Sequence, residues 1–235
     1  MENIANQGWA DALAGMAAPQ ASPDRKMGTH DHAALVYWSR EEFLDTIVPY
    51  IVDGLLGGEF VVHLFHSEPL EPLVERLEEA GIDVQAEADR GHLLLLAAAQ
   101  VFSPEGRFAM DDADRGIKDM ISAARARGAR RVRFSVDMSY VLAGVPGAEE
   151  LIEFDASANE GIFPEYPFLC ICAYDAATGV PELVEDMFLT HPLVFVRGIP
   201  LPNPYYKPWG EISRSRMYLG RWKDRYGSRL LSAGG

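Results

Sequence analysis

From Ala33 onward the chain alternates between short, wholly apolar runs and longer stretches with apolar residues at helical spacing. The runs cover Ala33 to Trp38, Phe60 to Phe65, His92 to Ala98 and Val132 to Val136, and two more begin at Phe168 and Leu193. Runs that are apolar throughout, rather than alternating with polar residues, predict strands buried on both faces, which means a parallel sheet. The first helical pattern carries Phe43, Ile47, Tyr50, Ile51 and Leu55 and ends at Gly57-Gly58. It opens on Ser39 with Glu42 three residues on, the spacing of a capping box. Further helices are predicted over Leu70 to Ala80, Asp111 to Arg127 and Glu149 to Asn159, and another from near Pro181. Strand and helix alternating this regularly predict an α/β fold, a mostly parallel sheet with helices on both faces.

The unit from Phe168 to Gly198 concentrates the reactive residue types. It reads as strand, helix, strand, with Cys170, Cys172, Tyr174 and Asp175 in or ending the first strand and His191 before the second. Open α/β sheets place their sites at the carboxyl ends of strands, which favours Asp175 and, after the fourth run, Asp137. Two cysteines on one face of a strand are poor disulfide partners and read as core.

Composition narrows the functional classes. The net charge of −14 argues against nonspecific nucleic-acid binding by the body of the protein. The charge is uneven: from Lys207 onward seven basic residues face only Glu211 and Asp224. Within that tail Leu219, Trp222, Tyr226 and Leu230 form one helical stripe over residues 209–231. Such a stripe is either a cover for the domain or an interaction helix for a regulatory protein or a dimer mate. No apolar run nears the ~18–20 residues of a membrane span. With no signal peptide visible, a cytoplasmic protein without membrane contact is expected. Residues 1–29 read as an N-terminal arm in which Trp9, Leu13 and Met16 share a face.

Several chemistries lack their residues. A phosphate loop needs GxxxxGK[ST] after the first strand, where this chain has Tyr37-Trp-Ser-Arg-Glu-Glu-Phe43. Asp137, at the position where phosphate-loop ATPases hold magnesium, is then either a strand-end cap or a hydrogen-bond acceptor for a ligand. No HxxxH, HExxH or CxxC pair is present, so no metal and no cofactor are expected from local spacing, although distant residues could still assemble a site. There is no GxSxG elbow and no evident base for Cys172.

An ordered set of segments carries a resemblance. Asp31-His-Ala-Ala-Leu-Val-Tyr37, Gly54-Leu-Leu-Gly-Gly-Glu59, Gly91-His-Leu-Leu-Leu-Leu96, Asp137-Met-Ser-Tyr140, Cys172-Ala-Tyr-Asp175, Thr190-His-Pro192 and Asn203-Pro-Tyr-Tyr206 together resemble the MEDS family, the methanogen/methylotroph DcmR-type sensory domain. The resemblance covers residues 30–206, leaving 1–29 as arm and 207–235 as tail. It implies a RecA-like three-layer fold without a phosphate loop. It also implies a non-enzymatic sensory domain for small molecules, hydrocarbon derivatives among them, in transcriptional or signal-transduction control. The family pattern around Cys172 commonly has Gln where Ala173 stands.

The implied strand order puts the Leu193 strand beside the first, then the Phe168 strand, the one ending at Asp137, and the one from Phe60. Trp38, Ser67, Glu68, Asp137, Ser139 and Asp175 should then gather at the carboxyl edge. Tyr37, Trp38, His66, Glu68, Asp137, Tyr140, Tyr174 and Asp175 are the candidate ligand lining. His32 and His191 begin adjacent strands and should form a second polar cluster at the opposite edge. Two other classes stay open: a degenerate nucleotide-binding protein, and a ligand-free partner-binding module.

Overall fold

The computed structural model describes residues 27–66, 69–178, 180–196 and 198–215. Its centre is one sheet built from β1 (His32–Tyr37), β2 (Phe60–Phe65), β3 (Leu93–Ala97), β4 (Val132–Asp137), β5 (Phe168–Asp175), β6 (Leu193–Val196) and β7 (Ile199–Pro202). The order across the sheet is β3-β2-β4-β5-β1-β6-β7. The five neighbours expected from the resemblance stand in that order, and all pair in parallel. Only the β6–β7 hairpin is antiparallel. β7 was not anticipated: Pro200 and Pro202 argue against a strand, and are tolerated here because β7 is the sheet edge.

Period-two alternation divides each strand between two cores. Ala33, Leu35, Tyr37, Val61, Leu169, Ile171 and Ala173 face α1 (Arg40–Leu56) and α2 (Glu71–Glu79), which bring Phe43, Ile47, Ile51, Leu73 and Leu77. Ala34, Val36, Val62, Phe134, Val136, Cys170, Cys172 and Tyr174 face the other layer. After the short α3 (Val84–Asp89) and α4 (Ala98–Phe102), that layer consists of α5 (Met110–Ala126), α6 (Leu151–Glu165) and α7 (Pro181–Thr190). α8 (Trp209–Ser215) ends the described chain beside α6. The result is a RecA-like three-layer α/β sheet.

Three local features show how the sequence sets its helices on the sheet. At the start of α1 the Ser39 hydroxyl accepts from Glu42 N–H at 3.3 Å, as the cap spacing predicted. The Glu42 carboxylate accepts from Trp38 N–H at 2.7 Å, one residue earlier than a standard capping box. α6 runs past Asn159, the predicted end, through Gly161 to Glu165, because Ile162 and Phe163 continue its buried stripe. Beneath α1, Glu59 pairs with Arg131 and with Arg133, whose Nε donates at 2.6 Å. Arg133 also donates to the Tyr50 carbonyl at 2.7 Å. Gly54 makes room for this: a Cβ there would stand 2.8 Å from both Arg133 Cδ and Val61 Cγ2.

The arm with Trp9 and the tail stripe at Leu219, Trp222, Tyr226 and Leu230 lie outside the described residues.

Candidate functional site

Four polar side chains from four elements meet between the sheet and α6. His32 opens β1, Cys172 lies mid-β5, His191 follows α7, and Asp155 stands in the second turn of α6. His32 Nε2 is 3.1 Å from Asp155 Oδ1 and 3.3 Å from Cys172 Sγ. Cys172 Sγ is 3.4 Å from the same Oδ1, and His191 Nε2 is 3.1 Å from Oδ2. The imidazole centroids are 4.1 Å apart, and His32 stacks on Phe163 at 4.5 Å. All four residues are buried, Asp155 at 8% exposure being the most accessible. Among the described residues this is the one group of His, Cys and carboxylate donors that could hold a metal, with donor atoms all within 4.8 Å.

The surrounding hydrogen bonds settle which ring nitrogens carry protons. Asn159 Nδ2 donates to the Ala156 and Thr190 carbonyls at 3.1 and 2.8 Å, so its Oδ1 faces His32 Nδ1 at 3.0 Å as an acceptor. His32 Nδ1 must therefore carry the hydrogen. His191 Nδ1 lies 3.0 Å from the Met187 carbonyl and 2.9 Å from the Thr190 hydroxyl, which gives its own proton to that carbonyl. His191 Nδ1 is thus also a donor. In its neutral form each ring therefore turns toward Asp155 the nitrogen that carries no hydrogen, Nε2. His191 Nε2 is buried without an aligned hydrogen bond, although Oδ2 is close.

Burial by itself would raise the Asp155 carboxyl, but the two imidazoles outweigh it and hold the group well below the usual carboxylate range. Burial lowers the His191 imidazole, and the neighbouring His32 lowers it further against the pull of Asp155. The Cys172 thiol is pushed up by burial, by Cys170 and by Asp155. The arrangement is an ionised carboxylate facing two imidazoles whose centroids stand 4.1 Å apart. A small apolar cavity of about 30 Å³ adjoins it, walled by Phe134, Leu151, Phe154 and Ile162, with Asp155 and Cys172 at its polar end.

The residues expected at the carboxyl edge do not share one wall. Tyr37 is buried on the α1 face, whereas Tyr174 is buried on the α6 face. This corrects the placement of Tyr174, whose odd-even position in β5 turns it from the edge toward the histidines. Its ring meets His191 edge-on at 5.7 Å and its hydroxyl donates to Asp155 Oδ2 at 3.5 Å. Asp137 serves as a cap, accepting from Ser139 N–H and Oγ–H at 2.9 and 2.6 Å and from His66 N–H at 3.2 Å. Asp175 accepts from Ala177 N–H at 2.7 Å. His66 and Tyr140 do come together, ring edge to face at 5.7 Å. Trp38 is half-buried nearby on the α6 face; Ser67 and Glu68 lie outside the described residues.

The family model for "MEthanogen/methylotroph, DcmR Sensory domain" matches residues 31–192, well over half the chain. The chain belongs to the MEDS family. One protein it is similar to is the transcriptional repressor DcmR of Methylorubrum extorquens, 23% identical over 163 residues. That alignment covers 69% of this chain and 58% of the repressor, so the repressor extends well beyond what is shared. Among solved structures, an uncharacterized Pyrococcus horikoshii protein in complex with an unknown peptide superposes with a TM-score of 0.56 at 16% identity, over 72% of this chain and 78% of that one. A KaiC-like protein from the same organism reaches 0.48 at 14% identity, over 72% and 71%. The first of these likenesses supports the fold.

His32, Asp155, Cys172 and His191 all fall inside the matched MEDS segment. The two histidines meet at the amino edge of the sheet, where their strand positions put them. Cys172, read from sequence as core, is both core and a member of the cluster. Asp155 and Asn159 escaped notice, although they carried a signal. They stand one turn apart among Leu151, Ile152, Ala158 and Ile162, a polar pair on an otherwise apolar helix face.

Proposed function

We propose that this MEDS domain is a non-enzymatic sensor that admits a one- or two-carbon hydrocarbon derivative between β5 and α6 and signals through protein contacts. The cavity beside Asp155 and Cys172 carries this reading. Its volume of about 30 Å³ exceeds the ~10–15 Å³ needed for one water, and its walls are apolar with one polar end. A substituted one- or two-carbon molecule suits it; a sugar or nucleotide does not. Occupancy would bear directly on α6, which also touches α7 and α8, the route toward the tail. Family membership supports regulation as the output; to this we add a protein partner reached through residues 209–231 and no direct nucleic-acid contact.

The degenerate-nucleotide reading has one observation against it. In this fold phosphate would lie at the start of α1, where the Glu42 carboxylate already accepts from Trp38 N–H.

Thermal melting against a panel of one- and two-carbon alcohols, amines and halides, alongside ATP with magnesium, tests the assignment. A ligand present at 100 times its Kd should add about 2.7 kcal/mol of stability. Stabilisation by ATP with magnesium but by none of the small organics would reverse the assignment.

A further inference from the structure

The geometry points to a divalent transition-metal site, of the zinc class, formed by His32 Nε2, His191 Nε2, Cys172 Sγ and one Asp155 oxygen. The site shares Asp155 and Cys172 with the wall of the cavity but does not depend on the cavity being filled.

Spacing is the first argument. With metal–nitrogen and metal–oxygen bonds of about 2.0–2.2 Å and a metal–sulfur bond of about 2.3 Å, tetrahedral donors stand about 3.3–3.6 Å apart. The separations here are 3.1 Å from His32 Nε2 to Asp155, 3.3 Å from the same nitrogen to Cys172, and 3.4 Å from Cys172 to Asp155. His191 Nε2 stands 3.1 Å from the other carboxylate oxygen, Oδ2, and all four donor groups lie within 4.8 Å of one another. Two nitrogens, a sulfur and an oxygen are a donor mixture that suits zinc and cobalt and discriminates against magnesium and calcium.

Proton supply is the second. Both Nδ1 atoms donate outward, to Asn159 on one side and to the Met187 carbonyl and Thr190 on the other. That outer shell is what orients metal-ligating imidazoles. With the rings neutral it leaves two nitrogen lone pairs, the carboxylate and the Cys172 sulfur converging on one point. His191 Nε2 correspondingly lacks an aligned partner. A cation at the centre satisfies every one of these atoms. A lone shared proton would satisfy only one pair and would charge an imidazole whose neighbour is 4.1 Å away.

Binding balances as follows. The Cys172 S–H bond breaks, its proton leaves to solvent, and the thiolate sulfur donates to the metal; the imidazoles and the carboxylate donate existing lone pairs. No electron is transferred.

The test uses the full chain stripped with chelator and titrated with cobalt(II) chloride or zinc chloride. One equivalent of cobalt should give intense tetrahedral visible absorption and a thiolate-to-cobalt charge-transfer band. Zinc should raise the melting temperature and release a proton. Cys172→Ser, nearly isosteric and checked by circular dichroism, should lose the charge-transfer band. Asn159→Ala, which removes a positioning group that touches no metal, should weaken cobalt binding about 10–100-fold. A weak octahedral spectrum in wild type, a charge-transfer band that survives in Cys172→Ser, or a zinc shift equal in wild type and His191→Ala would overturn the site.

Discussion

Asp155 shows how much one buried residue can govern. Its carboxylate faces His32, His191 and Cys172, and breaking such a buried set leaves its partners unpaired. In chelator-treated protein, Asp155→Asn should lower the unfolding free energy at neutral pH by about 3 kcal/mol, as measured by urea denaturation. The sign with pH follows from the depressed carboxyl: its contribution is present above the unfolded-state value near ~4 and fades as pH falls below it. The deficit of the variant should therefore shrink toward acid. His63 behaves differently. It is buried, with Nδ1 2.8 Å from Ser135 Oγ, and burial lowers its pKa to about 4, against a small opposing pull from Asp137. The unfolded chain takes up this proton from about pH 6.5 downward while the folded one resists until about 4. Stability from this group is thus complete above about 6.5 and is lost across that window, by about 3 kcal/mol. His63→Gln should flatten that part of the urea-midpoint profile against pH; an unchanged slope would show that other groups produce it.

At the scale of the element, packing overrides propensity in α1. Alanine is favoured over glycine in a helix interior by about 1 kcal/mol, so Gly54→Ala would be stabilising on an exposed helix. Here the new methyl meets Arg133 Cδ and Val61 Cγ2 at 2.8 Å. Arg133 cannot swing aside without losing Glu59 and the Tyr50 carbonyl. Gly54→Ala should accordingly cost about 1–3 kcal/mol, visible as a lower urea midpoint with an unchanged m-value. α6 makes the complementary point. Its apolar stripe was legible, so a helix was expected, but with its end at Asn159. Burial of Ile162 and Phe163 under β5 carries it to Glu165. The strand-end acids were legible as strand ends and nothing more, since capping and ligand contact require the same residue type in the same place.

For the whole molecule, the layer between β5 and α6 joins the cavity, the His–Asp–His–Cys cluster and the helix that touches α7 and α8. Filling the cavity separates stability from sensing. Ala158 lines it, and Ala158→Val adds two methyl groups to free space. The variant should melt within about 1 kcal/mol of wild type, yet lose the stabilisation that a one- or two-carbon ligand confers. A variant that keeps the full ligand shift would place the ligand elsewhere. The described residues contain no helix long and apolar enough to cross a membrane.

The sequence by itself determined the alternation of buried strands and helices, the α/β class and the Ser39 cap. These follow from short-range patterning and from the parallel pairing that such patterning demands. The MEDS segments were likewise legible as an ordered set. Only the tertiary structure decided that Asp155 meets His32 and His191, that Cys172 joins them, and that Tyr174 turns toward them rather than toward Asp175. The physical reason is that each side chain reaches the cluster from a different element. Their meeting depends on how far along β5 the helix α6 sits and which way its stripe faces, and neither quantity is written in the spacing of any single segment.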